Sequence, residues 1–434
     1  MVAKAPPARH ADPMRPNLTP DLDLAQRLFD ALRAKTFDGV GITREAYGER
    51  EQIAHDLTRA EAEALGLECQ VDHAGNLTMT LPGTDRAAKK IVLGSHLDSV
   101  PQGGNYDGAA GVLAGLASIA GMKRAGFTPA RDIAVIAIRA EEAGAWFPTS
   151  YPGSKAALGT LPAEALSITR LDTGRSLEHH MRDAGFNPDA VRAGTKIMGP
   201  HNVAAYLELH IEQGPVLEAE KIPLGIVTGI PGSRRLRNAR VFGEYNHSGT
   251  TPRRYRADAA IALAELAHRL DDYWAKLESQ GHALVVTFCV MGTTAEAGFT
   301  KIAGEAHFQL DVRSVSAASV DALFSEMHRL IRLIEARRGV RFDLGTEAGS
   351  FAALMDGGVQ QGVATAAAAL GVPYCSMASG AGHDAAAFAQ AGIPSGMIFV
   401  RNQNGSHNPH EAMRMEDFAQ ATAVMQRWAA DLAV

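Results

Sequence analysis

Residues 90–122 read KIVLGSHLDSVPQGGNYDGAAGVLAGLASIAGM. The apolar IVL at 91–93 makes a short buried strand, and the Gly/Ala-rich run from 108 onward makes a helix whose small residues allow close packing. Between them lies a loop of Gly, Pro, Asn and Ser that carries His96, Asp98 and Asp107 straight off the strand. A second segment, RDIAVIAIRAEEAG at 131–144, repeats the design as a buried strand running into Glu141 and Glu142. Apolar strands alternating with helices indicate an α/β sheet, and such sheets bind ligands just beyond the carboxyl ends of their strands. All five residues fall at such positions.

Around this centre, LTPDLDLAQRLFDALRAKTF at 18–37 predicts a helix capped by Thr19 or Asp21, and ECQVDHAGNLTMTLPG at 68–83 predicts a strand pair. From about residue 233 the pattern changes. Amphipathic helices at 257–279 and 317–337 alternate with strands near 236–245, 284–292, 305–313 and 340–346, a β-α-β-β-α-β order. After about 348 the Gly/Ala-rich style returns and ends in GMIFVRNQNGSHNPHEAM. The expected fold is α/β: a mixed-sheet catalytic domain flanked by helices, with an inserted smaller α+β, ferredoxin-like domain serving as lid and dimerisation element. The expected boundaries are a flexible arm over 1–17, a metal-binding catalytic domain over 18–232 and 348–434, and the insertion over 233–347.

The chain has 434 residues, more than one hydrophobic core usually supports. With 42 basic and 48 acidic residues it carries a net charge of −6, which offers no electrostatic footprint for nucleic acid. Small molecules are the natural ligands. Cys69, Cys289 and Cys375 are scattered and odd in number, so a reducing, cytoplasmic setting is expected and no disulfide framework. The polar, Pro-rich start does not read as a signal peptide. The longest weakly polar run, 108–122, is shorter than the ~20 residues a membrane span needs.

Imidazole and carboxylate together suit divalent metals. The candidates are His96 with Asp107, the pair Glu141–Glu142, His210 in ELHIEQGP and His407 in GSHNPHE. One histidine alone is more often a surface or hydrogen-bonded residue than a ligand. Here every candidate follows an apolar strand and enters a Gly/Asn/Pro loop, which favours a metal site. Adjacent glutamates on extended backbone point apart, so one can ligate while the other acts as a base, and Asp107 can bridge with its two oxygens.

The stretches GSHLDSVPQGGNYDGAAGV, AEEAGAWFPTSYPGS, ELHIEQGPVLE, HSGTTP, FQLDVRS, GAGHDA and GSHNPHE closely resemble, in order, the motifs of the amidase/hydantoinase/carbamoylase family. That family includes N-carbamoyl-L-amino-acid hydrolases, β-ureidopropionases and allantoate amidohydrolases, and belongs to the dinuclear metallo-aminoacylases and carboxypeptidases. The resemblance implies two divalent ions per subunit (zinc, manganese, cobalt or nickel). His96, Asp107 and His210 would hold one, and Asp107, Glu142 and His407 the other. It implies attack by a metal-bridging hydroxide with Glu141 as general base, and a second-sphere role for Asp98 in fixing the His96 tautomer. His247 would hold the oxyanion or substrate, Arg313 would grip a substrate carboxylate, and Gln213, Thr300, His383 and Asp384 would line the site. A homodimer through the inserted domain is implied as well.

Three departures from the family pattern stand out. EEAGAWF holds one residue more than usual between the glutamates and the aromatic pair, with Trp146 where Arg is common. Alignment from the aromatic side would make Glu142 the base and put Ala143, which has no donor atom, among the ligands, so the register from Ile133 is preferred. Thr300 replaces an Asn that would bind substrate, and Arg401–Asn402 replace Pro-Ser. Trp146 is expected to reshape the pocket toward a bulkier or more apolar substrate portion. The leading expectation is hydrolysis of a non-peptide C–N bond in an N-carbamoyl-amino acid or a related N-substituted amino acid. The alternatives are an N-acyl-amino acid or dipeptide hydrolase using the same metals, and a binding protein that has lost catalysis. A phosphate-loop reading of GGNYDGAAG fails for want of the Lys-Ser/Thr pair.

Overall fold

The computed structural model describes residues 18–434, so the arm expected over 1–17 lies outside the described residues. The chain divides into two compact units, one running to Thr228 and resuming over Leu354–Val434, the other Gly229–Ala353.

The first unit is built on an eight-stranded mixed sheet. Its strands run, from edge to edge, Glu68–Val71, Leu77–Leu81, Ile133–Ile138, Lys90–His96, Val203–Ile211, Ser395–Val400, Leu224–Val227 and Tyr374–Met377. Four of these, from Ile133–Ile138 to Ser395–Val400, lie parallel to one another, with an antiparallel neighbour on either side. Their residues are buried almost throughout, as expected of strands covered on both faces. The register sets His96 beside Ile138 and His210 beside Phe399, so the carboxyl ends of the central strands come out level at one end of the sheet.

The expected first helix forms over Leu22–Thr36, and of the two candidate caps it is Asp21 that accepts the Leu24 N–H. The helix Glu49–Ala64 is not among the expectations above. Its sequence, EREQIAHDLTRAEAEA, shows little apolar periodicity, and the residues it buries include Glu51 and His55 as well as Ala54 and Ala62.

Helix Ala109–Arg124 is buried on every side from Ala109 to Met122. Its small residues let it lie directly on the strands: a Cβ on Gly111 would stand 2.2 Å from Leu209 O, and one on Gly115 would stand 2.8 Å from Val135 Cγ2. That close seat fixes the loop ahead of the helix, and with it Asp107.

The second unit holds an antiparallel sheet in which Arg341–Asp343, Gly232–Phe242, Glu305–Ser314 and Val285–Thr293 lie in that order. Numbered along the chain this is 4-1-3-2, the ferredoxin-like order, with Glu347–Ser350 as an added pairing on Gly232–Phe242. Helices Ala259–Ser279 and Ala317–Arg338 share one apolar core with the sheet. Alternate residues of Glu305–Ser314 (Ala306, Phe308, Leu310, Val312) enter that core, as a half-buried strand requires.

Gly111→Ala is expected to cost ~1–3 kcal/mol, because the new methyl meets backbone that cannot swing away. Urea unfolding monitored by circular dichroism should show a lower midpoint with an unchanged slope. A midpoint equal to that of the parent would mean the helix does not depend on this close approach.

Candidate metal centre

Each central parallel strand delivers one part of the site. His96 is the last residue of Lys90–His96, and its Nδ1 lies 3.1 Å from Asp98 O and 3.3 Å from Asp98 Oδ1. His210 is the penultimate residue of Val203–Ile211, with Nδ1 2.8 Å from Ile211 O. These hydrogen bonds place the ring proton of each on Nδ1 and leave the Nε2 lone pairs facing inward. The two Nε2 atoms converge to 3.4 Å.

Asp107 stands between the strands. Its Oδ1 lies 3.1 Å from His210 Nε2 and 3.6 Å from His96 Nε2, and has no hydrogen-bond partner although it is buried. Its Oδ2 is 3.6 Å from His407 Nε2, which is 3.0 Å from Glu142 Oε1. Two donor groups result, His96–Asp107–His210 and Asp107–Glu142–His407; within each, one ligand atom per residue lies within 4.8 Å of the others. Converging imidazole lone pairs and an unpartnered buried carboxylate oxygen repel one another unless a cation lies among them. The donor chemistry therefore fits divalent metal on both sides of Asp107.

The loop that carries Asp107 is held on several sides. Glu411 Oε1 accepts the Tyr106 and Asp107 N–H groups at 2.9 and 3.3 Å. Ser406 Oγ lies 2.6 Å from both Asp107 Oδ2 and Glu411 Oε2. Burial and the Asp107 charge push Glu411 up to about 7. The fully buried Arg44 donates from Nε to Leu97 O at 2.5 Å and from Nη2 to Asp107 O at 3.4 Å. Gly108 takes a φ of +66°, and a Cβ there would strike the His96 ring at 2.3 Å. The approach of loop to imidazole demands glycine.

Glu141 and Glu142 follow Ile133–Ile138 in a turn. Their N–H groups donate to Asp98 Oδ1 and Oδ2, both at 3.0 Å, so one carboxylate orients the His96 ring and both glutamates. Glu142 stands with His407, while Glu141 Oε2 lies 3.8 Å from His96 Nε2. Burial raises the Glu141 carboxyl well above the ordinary carboxylate range; His96 opposes this, and the charges of Glu142, Asp384 and Asp98 add to it. The segment after Glu142 forms the single helical turn Ala143–Trp146. Trp146, expected to reshape the pocket, packs in the interior of the first unit. It is buried in an apolar cluster with Tyr47, Phe147 and Leu177, and its Nε1 donates to Ser99 O at 2.8 Å.

Gln213 joins the centre, its Nε2 donating to Asp107 Oδ2 at 2.8 Å. His383 is buried with its ring centroid 4.5 Å from that of His210 and its Nε2 3.1 Å from Ser379 Oγ. Asp384 accepts from Ser154 Oγ at 2.5 Å and is pushed up to about 8 by burial and by Glu208. His247, Thr300 and Arg313 belong to the second unit. His247 pairs with Lys301, next to the exposed Thr300, and its Nδ1 accepts the Gly249 and Thr250 N–H groups at 3.0 and 3.1 Å. That leaves the ring proton on Nε2. Arg313 donates from Nε and Nη2 to Asp311 Oδ2 at 3.1 and 2.9 Å, a pairing with an acid of its own unit.

Sequence reasoning missed Arg44, Ser406, Glu208 and Glu411. Glu208 opens the ELHIEQGP motif and takes Ser95 Oγ at 2.7 Å and Ala385 N–H at 2.8 Å. Glu411 closes the GSHNPHE motif. Both sat inside quoted stretches, but only burial distinguishes them from solvated acids. Arg401 and Asn402 turn out to be scaffold: Arg401 forks onto Asp417 at 2.9 and 2.7 Å, and Asn402 Oδ1 accepts the Gln213 N–H at 3.0 Å.

Residues 92–431 match Peptidase family M20/M25/M40, and the chain belongs to that family. It is 35% identical to an N-carbamoyl-L-amino acid amidohydrolase of Geobacillus stearothermophilus, covering 93% of this chain and 96% of that protein. It is 32% identical to an allantoate amidohydrolase of Bacillus subtilis, covering 86% and 88%. A hydantoinase/carbamoylase family amidase from Burkholderia ambifaria superposes with a TM-score of 0.85 at 31% identity, covering 96% of this chain and 97% of that one. The protein is a metal-dependent amidohydrolase. No helix among the described residues is long and apolar enough to cross a membrane.

Asp98→Asn should weaken metal affinity or turnover by about 10–100-fold, since an amide NH2 then faces N–H groups that need an acceptor. Competition with a chromogenic chelator measures the first and steady-state assay the second. Parent values in both would remove Asp98 from the centre's support.

Proposed function

We propose that the protein hydrolyses the ureido C–N bond of an N-carbamoyl-amino acid or a closely related N-substituted amino acid, using two divalent ions. The observation that carries this reading is the pair of donor groups sharing Asp107 with the Glu141 carboxylate beside them. The relatives named an N-carbamoyl-L-amino acid amidohydrolase and an allantoate amidohydrolase support the substrate class.

In this reading His96, Asp107 and His210 hold one ion, and Asp107, Glu142 and His407 the other. Bound ions supply Lewis acidity that lowers the pKa of water and polarises the scissile carbonyl. Glu141, whose Oε2 lies 3.8 Å from His96 Nε2, would accept the proton of the attacking water and return it to the departing nitrogen. His247 donates from Nε2 to the developing oxyanion, a tautomer its Nδ1 contacts favour. Arg313 offers its fork to the substrate carboxylate, with Asp311 orienting the guanidinium. Gln213, Thr300 and His383 complete the substrate contacts.

The test is ammonia release by manganese- or zinc-reconstituted enzyme from N-carbamoyl-amino acids, β-ureidopropionate and allantoate, beside N-acetyl-amino acids and dipeptides. Glu141→Gln should lower turnover at least a hundredfold with metal content unchanged. In the same panel, Arg313→Lys should raise KM more than it lowers kcat. Acyl products without ammonia would move the assignment to an N-acyl-amino acid or dipeptide hydrolase, and a fully active Glu141→Gln would end the base role.

We also infer a cytoplasmic homodimer joined through the strand Val285–Thr293. This edge strand pairs with Glu305–Ser314 and carries the exposed Val285, Val290 and Met291. Light scattering should give twice the chain mass, and Val290→Lys should give the mass of one chain. A single-chain mass for the parent protein would overturn the inference.

A further inference from the structure

The turn that carries Glu141 and Glu142 is held at four successive amides by side chains. Arg139 N–H donates to Asn76 Oδ1, Ala140 N–H to Glu51 Oε1, and Glu141 and Glu142 N–H to Asp98, each at 3.0 Å. Ala140 itself has a φ of +58°, a region that a residue with a Cβ occupies only where its surroundings hold it there. Glu51 comes from helix Glu49–Ala64 and is fully buried. Its second oxygen accepts Tyr47 N–H at 2.7 Å and Arg139 Nη1 at 2.9 Å. Arg139, only 2% exposed, uses its other donors on Gly75 O at 2.9 Å and Gln52 Oε1 at 2.5 Å. A helix far away in sequence thus reaches, through a buried ion pair, the backbone one residue ahead of Glu141. Neither side chain belongs to the two donor groups around Asp107.

We propose that the Glu51–Arg139 pair is a positioning element for Glu141 and Glu142, selecting the left-handed conformation at Ala140 that sends one carboxylate toward His96 and the other toward His407. The inference rests on the roles given to Glu141 and Glu142 above. On regular extended backbone, neighbouring side chains take opposite faces of the strand. Here both must face the same end of the sheet with different partners, and a left-handed residue just ahead of them re-aims the chain. Because Glu51 accepts both the Ala140 N–H and the Arg139 guanidinium, the turn and the pair stand or fall together. A shift of ~1 Å in a reacting group costs about a hundredfold in rate, so the clamp bears directly on turnover.

The test uses Glu51→Gln, Arg139→Lys, and Glu51→Gln combined with Ala140→Gly in the full-length enzyme. Two readouts are taken: kcat and KM on the ureido substrate, and the visible spectrum of the cobalt-loaded protein, which needs no turnover. The single variants should lose about 10–100-fold in kcat with KM within about twofold, and the cobalt bands should change as Glu142 moves. Ala140→Gly should restore part of the lost kcat, because glycine takes a positive φ without the clamp. A merely structural pair would lower the melting temperature and leave kcat and cobalt spectrum at parent values in the folded protein, which would overturn the inference. Should Glu51→Gln not fold, Arg139→Lys decides, since it keeps the buried charge and loses only the planar fork. Full activity in Glu141→Gln would remove the base role alone; an altered cobalt spectrum in the clamp variants would still tie the pair to Glu142.

Discussion

The constraint on which the site depends is the burial of the Asp107 carboxylate among groups that cannot satisfy both its oxygens by themselves. Taking a carboxylate out of water costs several kcal/mol, and partial compensation leaves much of that cost standing. Oδ2 has Gln213 and Ser406 as donors, but Oδ1 faces two imidazole nitrogens whose protons sit on the other side of their rings. A chain that builds such a position has prepared it for a cation. The surroundings agree: Glu411 takes the Asp107 N–H, Arg44 donates to its carbonyl, and Gly108 lets the loop lie against His96.

The sheet turns that local demand into an architecture. Parallel strands present their carboxyl ends together, so residues more than a hundred positions apart in the chain reach one place without long side chains. His96 and His210 come directly from strand ends, Glu141 and Glu142 from the turn after Ile138, and His407 from the loop after Val400. The departures from the family pattern fall largely on the scaffold. Arg401 and Asn402 brace the loop toward His407 through Asp417 and Gln213, and Trp146 fills an interior cluster. The donor groups around Asp107 are left unaltered by them.

Much of this was legible in the sequence because the informative residues are of two kinds. Strands and helices announce themselves by apolar runs and small-residue seams, and candidate ligands by standing just after them in Gly-rich loops. The helix Glu49–Ala64 was not legible, since its buried face includes Glu51 and His55 and its apolar pattern is correspondingly faint. The same holds for Arg44, Glu208 and Glu411. A charged letter reads as solvated surface, and its burial depends on partners that lie elsewhere in the chain, as with Glu51 and Arg139.

By itself, then, the sequence determined the α/β class, the ferredoxin-like order of the inserted segment, and the set of histidines and acids at strand ends. These follow from local periodicity and from residue chemistry, which neighbours along the chain suffice to express. The family resemblance already implied that Asp107 is shared and that Glu142 goes with His407; only the tertiary structure decided the distances at which they meet and that Trp146 is spent on packing. It also decided that buried acids hold the backbone beneath the site. Those outcomes depend on distances between remote residues and on the low dielectric they create together, and neither is a property of any single stretch.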